Sequence, residues 1–395
     1  MIKNVVILSE FPEIDGGGVA VAIDTACLLA QHGLNVYYFS GAGNPDPRLL
    51  SSPNIKVVST GQSHIFHDKN RLRAFVNGIY NFKAARILRE LLATLDKEET
   101  VVHVHCWARL LSPSVFKAAN DMGFRIFITI HDYLLSCPDW NFYDNHARQI
   151  CERTPMSLKC FLCNCDKRQN YVHKVYRFFR QYVQNWIVKR INMGYIFISE
   201  FSKHQLLRRM PAPKNQFFVR NPIYYYDRFR IEAENNSIFL YIGRLDHEKG
   251  VENFCRAVHN TGVQAVMIGD GPLYDELKAQ YPEITFTGWL DKAHIREWLK
   301  RARCLVFPSV WYETLGLVPL EVNAYGLPVI ASDCCAASDN AAFTYHTTDE
   351  LEALIKQVSA ADIRQLSLDT FKNFDESSTI NYADNLLKVY STPLL

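Results

Sequence analysis

The chain has 395 residues, 48% hydrophobic and 21% charged, the balance of a globular protein with ample core and enough length for two domains. A formal net charge of +2 gives no reason to expect a nucleic-acid partner, and no apolar run reaches the length of a membrane-spanning helix. The opening MIKNVVILSEF has a short apolar run and no small-residue cleavage site. It reads as a buried first strand rather than a signal peptide, so the expected location is the cytoplasm. Short apolar strands then alternate with amphipathic helix patterns, which points to parallel α/β sheets. Strands are predicted at residues 5–8, 36–39, 56–58, 101–105, 126–130 and 195–199. A second set follows at 238–242, 265–268, 285–287, 304–307 and 329–331.

Two sets of parallel strands predict two Rossmann-like domains. The seam falls around 221–234, where Asn-Pro, tyrosines and charges break the pattern. The expected division is 1–220, 221–377 and a final helical segment in 378–395. Ligands of open α/β sheets bind beyond the carboxyl ends of the strands, so chemistry is sought there. After the first strand, Gly17 and Gly18 belong to a three-glycine run before a helix. Their N–H groups suit a phosphate or a close acceptor. The run is G-G-G-V-A-V, not the G-x-G-x-x-G of dinucleotide sites, and a plain glycine turn is the alternative. His131-Asp132 closes the strand at 126–130 and faces the same predicted cleft.

Between His131 and the next strand lies an insert, about 134–192. Five of the 11 cysteines crowd there. Cys160 and Cys163 have C-x2-C spacing, and Cys137 and Cys151 complete four candidate thiolates for a structural zinc, with free thiols as the alternative. Residues 167–190 then hold seven Lys/Arg and no acid, interleaved with aromatics at near-helical spacing. Such a helix suits an anionic membrane surface, or packs its apolar side on the core and solvates the basic one. A second basic stretch covers 69–89.

In the second half, Gly243 ends a strand, and Arg244 and Lys249 follow five residues apart. Two cations there can neutralise a diphosphate. Gly269 and Gly271 form a tight turn at the next strand end and are expected to line a nucleotide cleft. Ser309 and Glu313 approach the same mouth. Glu313 and Glu321 stand eight residues apart across a loop containing Gly316 and Leu317. Glycine permits close backbone approach and a helix start offers free N–H groups. Paired carboxylates beside such donors suit a polyol such as a sugar or ribose.

The stretch YETLGLVPLEVNAYGLPVIAS resembles the E-x7-E signature of retaining glycosyltransferases of family 4, the group 1 type. GRLDHEKG and the HD pair extend the resemblance over most of the chain. It implies the GT-B architecture: two Rossmann-like domains facing across a deep cleft, with the last helix crossing back to the first domain. It gives catalytic roles to His131, Arg244, Lys249 and Glu313. His131 would reach the transferred sugar, and the two cations would stabilise the departing diphosphate. Gly17, Gly18, Gly243, Gly269, Gly271, Ser309, Gly316, Leu317 and Glu321 would line the donor site, Glu321 gripping the ribose.

The implied donor is a UDP- or GDP-sugar, and the implied acceptor a hydroxyl of a growing glycan, lipid-linked in the fullest version. No D-x-D motif ends a strand, so no catalytic cofactor is expected and the cations stand in a metal's place. Peripheral association with the inner face of the cell membrane would run through 167–190. Some members of the family carry a similar C…C…C-x2-C pattern after the HD pair. The competing readings are a catalytically inactive GT-B binding module and a sugar-nucleotide epimerase on the same fold. An NAD-dependent oxidoreductase lacks both its glycine fingerprint and an acid after the second strand.

Overall fold

The computed structural model describes all residues except 63–70, 224–226 and 375–376. Residues 69–70 of the second basic stretch and 224–226 of the expected seam therefore lie outside the described residues. The first sheet comprises β1 (Asn4–Leu8), β2 (Asn35–Ser40), β3 (Ile55–Ser59), β4 (Thr100–Val104) and β5 (Arg125–Thr129). A two-stranded hairpin, β6 (Tyr143–Asp144) and β7 (Gln149–Ile150), interrupts it before β8 (Gly194–Phe197) and β9 (Asn215–Phe218). The second sheet comprises β10 (Ile238–Ile242), β11 (Ala265–Ile268), β12 (Thr285–Gly288), β13 (Ala302–Phe307), β14 (Val329–Ser332) and β15 (Phe343–Tyr345).

All eleven predicted strands are present; β6, β7, β9 and β15 were not anticipated. The last two are short outer strands, NQFF and FTY, with mixed exposure and little apolar signal. The central strands are Val/Ile-rich and buried on both faces, as parallel sheets require.

Strand order places the site. The first sheet runs β3-β2-β1-β4-β5-β8-β9 and the second β12-β11-β10-β13-β14-β15. All neighbours within both sheets pair in parallel. Order therefore reverses between β1 and β4 in one sheet, and between β10 and β13 in the other. A crevice opens at such a switch point, beyond the strands' carboxyl ends. The glycine loop follows β1, and the Arg244–Lys249 loop follows β10. The Glu313 loop follows β13.

The last helix, Tyr382–Ser391, packs on the first sheet's core. Tyr382 hydroxyl bonds Thr25 hydroxyl at 2.9 Å, and Arg125 donates to the Tyr390 carbonyl at 2.6 Å. The expected crossing back is thus present. Between the sheets, Ile198, Ile223, Leu315 and Leu320 form a small buried apolar seam. No described helix is long and apolar enough to cross a membrane.

Candidate active site between the two sheets

At the centre stands Glu313. Its Oε2 accepts from Lys249 Nζ at 2.6 Å, Trp311 Nε1 at 3.1 Å and Ser309 hydroxyl at 3.3 Å. The Lys249 and Glu313 side chains are only 19% and 16% exposed, so solvent screens their attraction weakly. Lys249 also lies over the Trp311 ring, 5.3 Å from its centroid. Two loops from neighbouring strands thus converge on one carboxylate. They are locked together by a Val310 N–H bond to the Glu248 carbonyl, 3.0 Å. Gly250 has φ +66, and a Cβ there would drive into the Pro308 carbonyl oxygen.

Arg244 shares the loop with Lys249 but stays half exposed at its tip. Its guanidinium is ion-paired to Glu248, and reaches Asp246 at 3.5 Å. Burial works against the charged form of Asp246, but the hydrogen bond from Lys167 and the nearby Arg244 charge hold its carboxyl below the usual range. Gly243, Gly269 and Gly271 have a packing reason of their own. A Cβ on Gly269 would strike the Gly243 carbonyl, and one on Gly271 the Leu245 backbone. The two loops run backbone against backbone, tied by Leu245 N–H to the Asp270 carbonyl at 2.9 Å.

Across the seam, His131 sits behind the glycine loop. A Cβ on Gly18 would lie 3.4 Å from the His131 side chain, and one on Gly17 would lie 3.6 Å from Leu317 of the other domain. Thr314 hydroxyl donates to the His131 carbonyl at 2.9 Å, joining the domains at the site itself. Burial pushes the His131 imidazolium pKa down to about 4, so the ring is neutral near pH 7. One proton joins its Nε2 to His105 Nδ1 at 2.9 Å. The His105 ring packs on His103, which bonds Thr129 and Tyr390 hydroxyls at 2.8 and 2.6 Å.

Gly316 caps the helix Leu317–Asn323 with φ 76, and Glu321 lies on that helix. Burial raises the Glu321 carboxyl to about 7, with Lys292 opposing and Asp24 of the first domain adding to the rise. Such an acid can donate as well as accept towards hydroxyls. The structure thus joins Lys249 and Ser309 to Glu313 and sets Arg244 on the Lys249 loop. It puts Gly17 near Leu317 and Gly18 against His131. Glu321 stands one helical turn further in.

Residues that carry no motif complete the site. Glu10 is buried and accepts from Arg109 Nε at 2.8 Å, while Arg109 also holds Asp15 at 2.8 Å, bracing both ends of the glycine loop. Thr314 sits inside the signature stretch and Trp311 just before it, but only the folded loop shows their bonds. His105 and Arg109 follow β4, the other side of the switch point, and that topological rule could have flagged them.

Two expectations for the insert need correction. Among the described residues no group of three or more His, Cys, Asp or Glu side chains is arranged to hold a metal ion. Cys160 and Cys165 accept from the buried Lys174 ammonium at 3.8 and 3.0 Å. Cys151 accepts from Arg153 at 3.6 Å, and Cys163 donates to Asp144 at 3.3 Å. Burial raises the Cys137 thiol to about 12. The four proposed thiolates, Cys137, Cys151, Cys160 and Cys163, therefore do not fit zinc as they stand.

Nor does the helix Tyr171–Val188 turn a basic face outward. Lys174 and Arg180 are buried, and Arg177 pairs with Asp139 and Asp166, whereas Phe179, Tyr182 and Trp186 are exposed. Acids and thiols on the insert draw the cations inward.

Comparison with known proteins agrees with this geometry. The family described as Glycosyl transferases group 1 matches residues 236–361. Alpha-D-kanosaminyltransferase of Streptomyces kanamyceticus is 32% identical over 117 residues, 27% of this chain and 30% of that one. The aligned stretch is thus less than a third of the relative's length. Among solved structures, sucrose-phosphate synthase from Thermosynechococcus elongatus superposes with a TM-score of 0.70 at 17% identity, covering 98% of this chain and 99% of that one. Anabaena HepE in complex with UDP-glucose gives 0.62 at 14% identity, covering 98% and 99%. The chain therefore has the GT-B fold, and its second domain is similar to the group 1 glycosyl transferases.

Proposed function

We propose that the protein is a retaining glycosyltransferase that moves a hexose-type sugar from a UDP- or GDP-sugar to a hydroxyl of a growing glycan. The observation that carries this reading is the Lys249–Glu313 pair at 2.6 Å, set beside Arg244 at the β10/β13 switch point and facing His131 across the seam. In the reaction the acceptor hydroxyl oxygen bonds to the anomeric carbon while the bond from that carbon to the β-phosphate oxygen breaks. The electron pair leaves with the nucleoside diphosphate, and the hydroxyl proton passes to a phosphate oxygen on the same face. Arg244 and Lys249 stabilise the charge that develops on the leaving group. Glu313 already accepts three hydrogen bonds, which suits holding sugar hydroxyls better than nucleophilic attack. Neutral His131 positions the sugar, and Glu321 holds the ribose.

The acceptor in this reading is carried on a lipid, and the protein works at the inner face of the cell membrane. Exposed Phe179, Tyr182 and Trp186, not the buried cations of the same helix, would then meet the bilayer. HepE was solved with UDP-glucose, which makes UDP-sugars the first donors to try. The test is a panel of UDP-, GDP-, ADP- and TDP-sugars with EDTA, read by thermal shift and by sugar release, with the product anomer assigned by proton NMR. One donor should stabilise the chain and turn over with retention. A panel in which none binds refutes the reading, and an inverted product refutes its stereochemistry.

A further inference from the structure

The cysteine-bearing insert belongs to the first domain in sequence, yet it grips the second at four places. Trp140 packs edge-on against Trp311, with centroids 5.6 Å apart. Tyr312 hydroxyl donates to Glu152 at 3.1 Å. Arg148 lies 3.6 Å from Glu252. The fourth contact is the tightest: Lys167 Nζ is ion-paired to Asp246 and to Glu248, the latter at 2.9 Å. All five partner residues sit on the two loops that carry Arg244, Lys249 and Glu313, or on the helix that follows Lys249.

The charges at this contact need an explanation. Asp246 and Glu248 are nearly fully buried, and both face Arg244, the cation meant for the leaving diphosphate. Two carboxylates beside an anion site repel the anion and tether its guanidinium. Arg244 alone leaves this trio one negative charge in excess. Lys167 brings the missing positive charge from the other domain. Its own position is fixed, because it lies on the turn just before Asn170, the cap of the helix Tyr171–Val188. There Asp166 accepts the Arg168 N–H at 2.9 Å and bonds His173 Nδ1 at 2.7 Å. Cys165, two residues before Lys167, is held by Lys174 at 3.0 Å.

The geometry points to Lys167 as a positioning residue of the donor site: an interdomain clasp that neutralises Asp246 and Glu248 and so leaves Arg244 available to the nucleoside diphosphate. This rests on the nucleotide-sugar reading for its ligand, while the clasp itself is a property of the chain alone. It also gives the insert a task, since an insert held over both donor loops sets how the two domains meet when donor is present.

Two measurements on the full chain separate the parts. The first is hydrogen exchange of peptides covering 244–252 in the wild type, Lys167→Ala and Lys167→Arg, without ligand. Exchange there should rise in Lys167→Ala and stay near wild type in Lys167→Arg; unchanged exchange in Lys167→Ala overturns the clasp. The second is titration with UDP and UMP, and with GDP and GMP, by calorimetry. Lys167→Ala should weaken the diphosphate about tenfold and the monophosphate much less, with Lys167→Arg recovering most of the loss. Equal weakening of both, or none, overturns the role towards Arg244. Failure of the wild type to bind any nucleoside diphosphate would instead strike at the nucleotide-sugar reading, with the clasp still judged by exchange.

Discussion

Replacing Lys249 by Met keeps the side chain as far as Cε and removes its charged end. Glu313 Oε2 would lose its shortest donor, at 2.6 Å, and keep Trp311 Nε1 at 3.1 Å and Ser309 hydroxyl at 3.3 Å. A charged hydrogen bond contributes about 1.5–3 kcal/mol net, and breaking a buried pair costs about 3–5 kcal/mol because a charge is stranded. Two donors remain and the carboxylate is 16% exposed, so the lower range applies and about 2 kcal/mol of stability should go. The loss in turnover should be larger. Removing a preorganised charge from a leaving group costs about 100- to 1000-fold in kcat, near 3–4 kcal/mol. The double variant Lys249→Met/Glu313→Gln strands no charge, so it should regain most of the stability and none of the turnover. The assay pairs denaturant unfolding with sugar transfer in all four proteins of the cycle. Turnover of Lys249→Met within about threefold of wild type, or recovery of both quantities together, would refute the assignment.

The buried histidines tie stability to pH. The His131 pKa falls from 6.5 to about 4 in the fold, so the unfolded chain binds the extra proton. Its contribution is complete above pH 6.5 and is lost as pH falls towards 4, about 2 kcal/mol by pH 5. Asp132 and Glu321, both raised by burial, act in the opposite sense, so the readout is the wild type minus His131→Asn between pH 7.5 and 5. A pH-independent difference would contradict the shift. Gly250 and Gly262 share nearly the same φ, +66 and +68, but only Gly250 has a wall beside it. Gly262→Ala should cost about 1 kcal/mol and Gly250→Ala about 3 kcal/mol or more in denaturant unfolding; equal costs would dismiss the Pro308 contact. Changing Phe179, Tyr182 and Trp186 to Ser should abolish flotation with anionic vesicles, whereas unaltered flotation would remove these side chains from any membrane role.

The strands and the loops that end them were legible because each reports on itself. Val/Ile runs mark a buried parallel strand whatever lies beside it, and Glu313 follows such a run. The inward turn of Lys174, Arg177 and Arg180 was not legible. Helical spacing told that aromatics and cations occupy different faces, but not which face would be buried. That depended on Asp139 and Asp166, distant in the chain or across a turn, and on the thiols around Lys174. The same limit hid Lys167, whose carboxylate partners lie 79 and 81 residues away. Cysteine spacing misled for a related reason. C-x2-C spacing places two sulfurs near each other, yet the partners each sulfur finds are decided by the fold around them. Gly269 and Gly271 were read as cleft lining, and their demand for bare backbone against Gly243 and Leu245 emerges only when two loops are seen side by side.

The return of the last helix to the first sheet has a consequence for how the protein is made. Tyr382, Leu386 and Tyr390 are fully buried in the core built on β1, β2 and β4, and Tyr390 completes the hydrogen bonding of His103. A ribosome finishes the first sheet's strands long before it reaches these residues. Until then that sheet exposes an apolar surface and His103 Nδ1 lacks its Tyr390 partner, and the second domain must fold in the interval. The first domain thus begins before the second and finishes after it, a high-contact-order closure that leaves the nascent chain sticky while the second is made. A chain ended before Tyr382 should bind a hydrophobic dye and yield to protease in its first half while the second half resists.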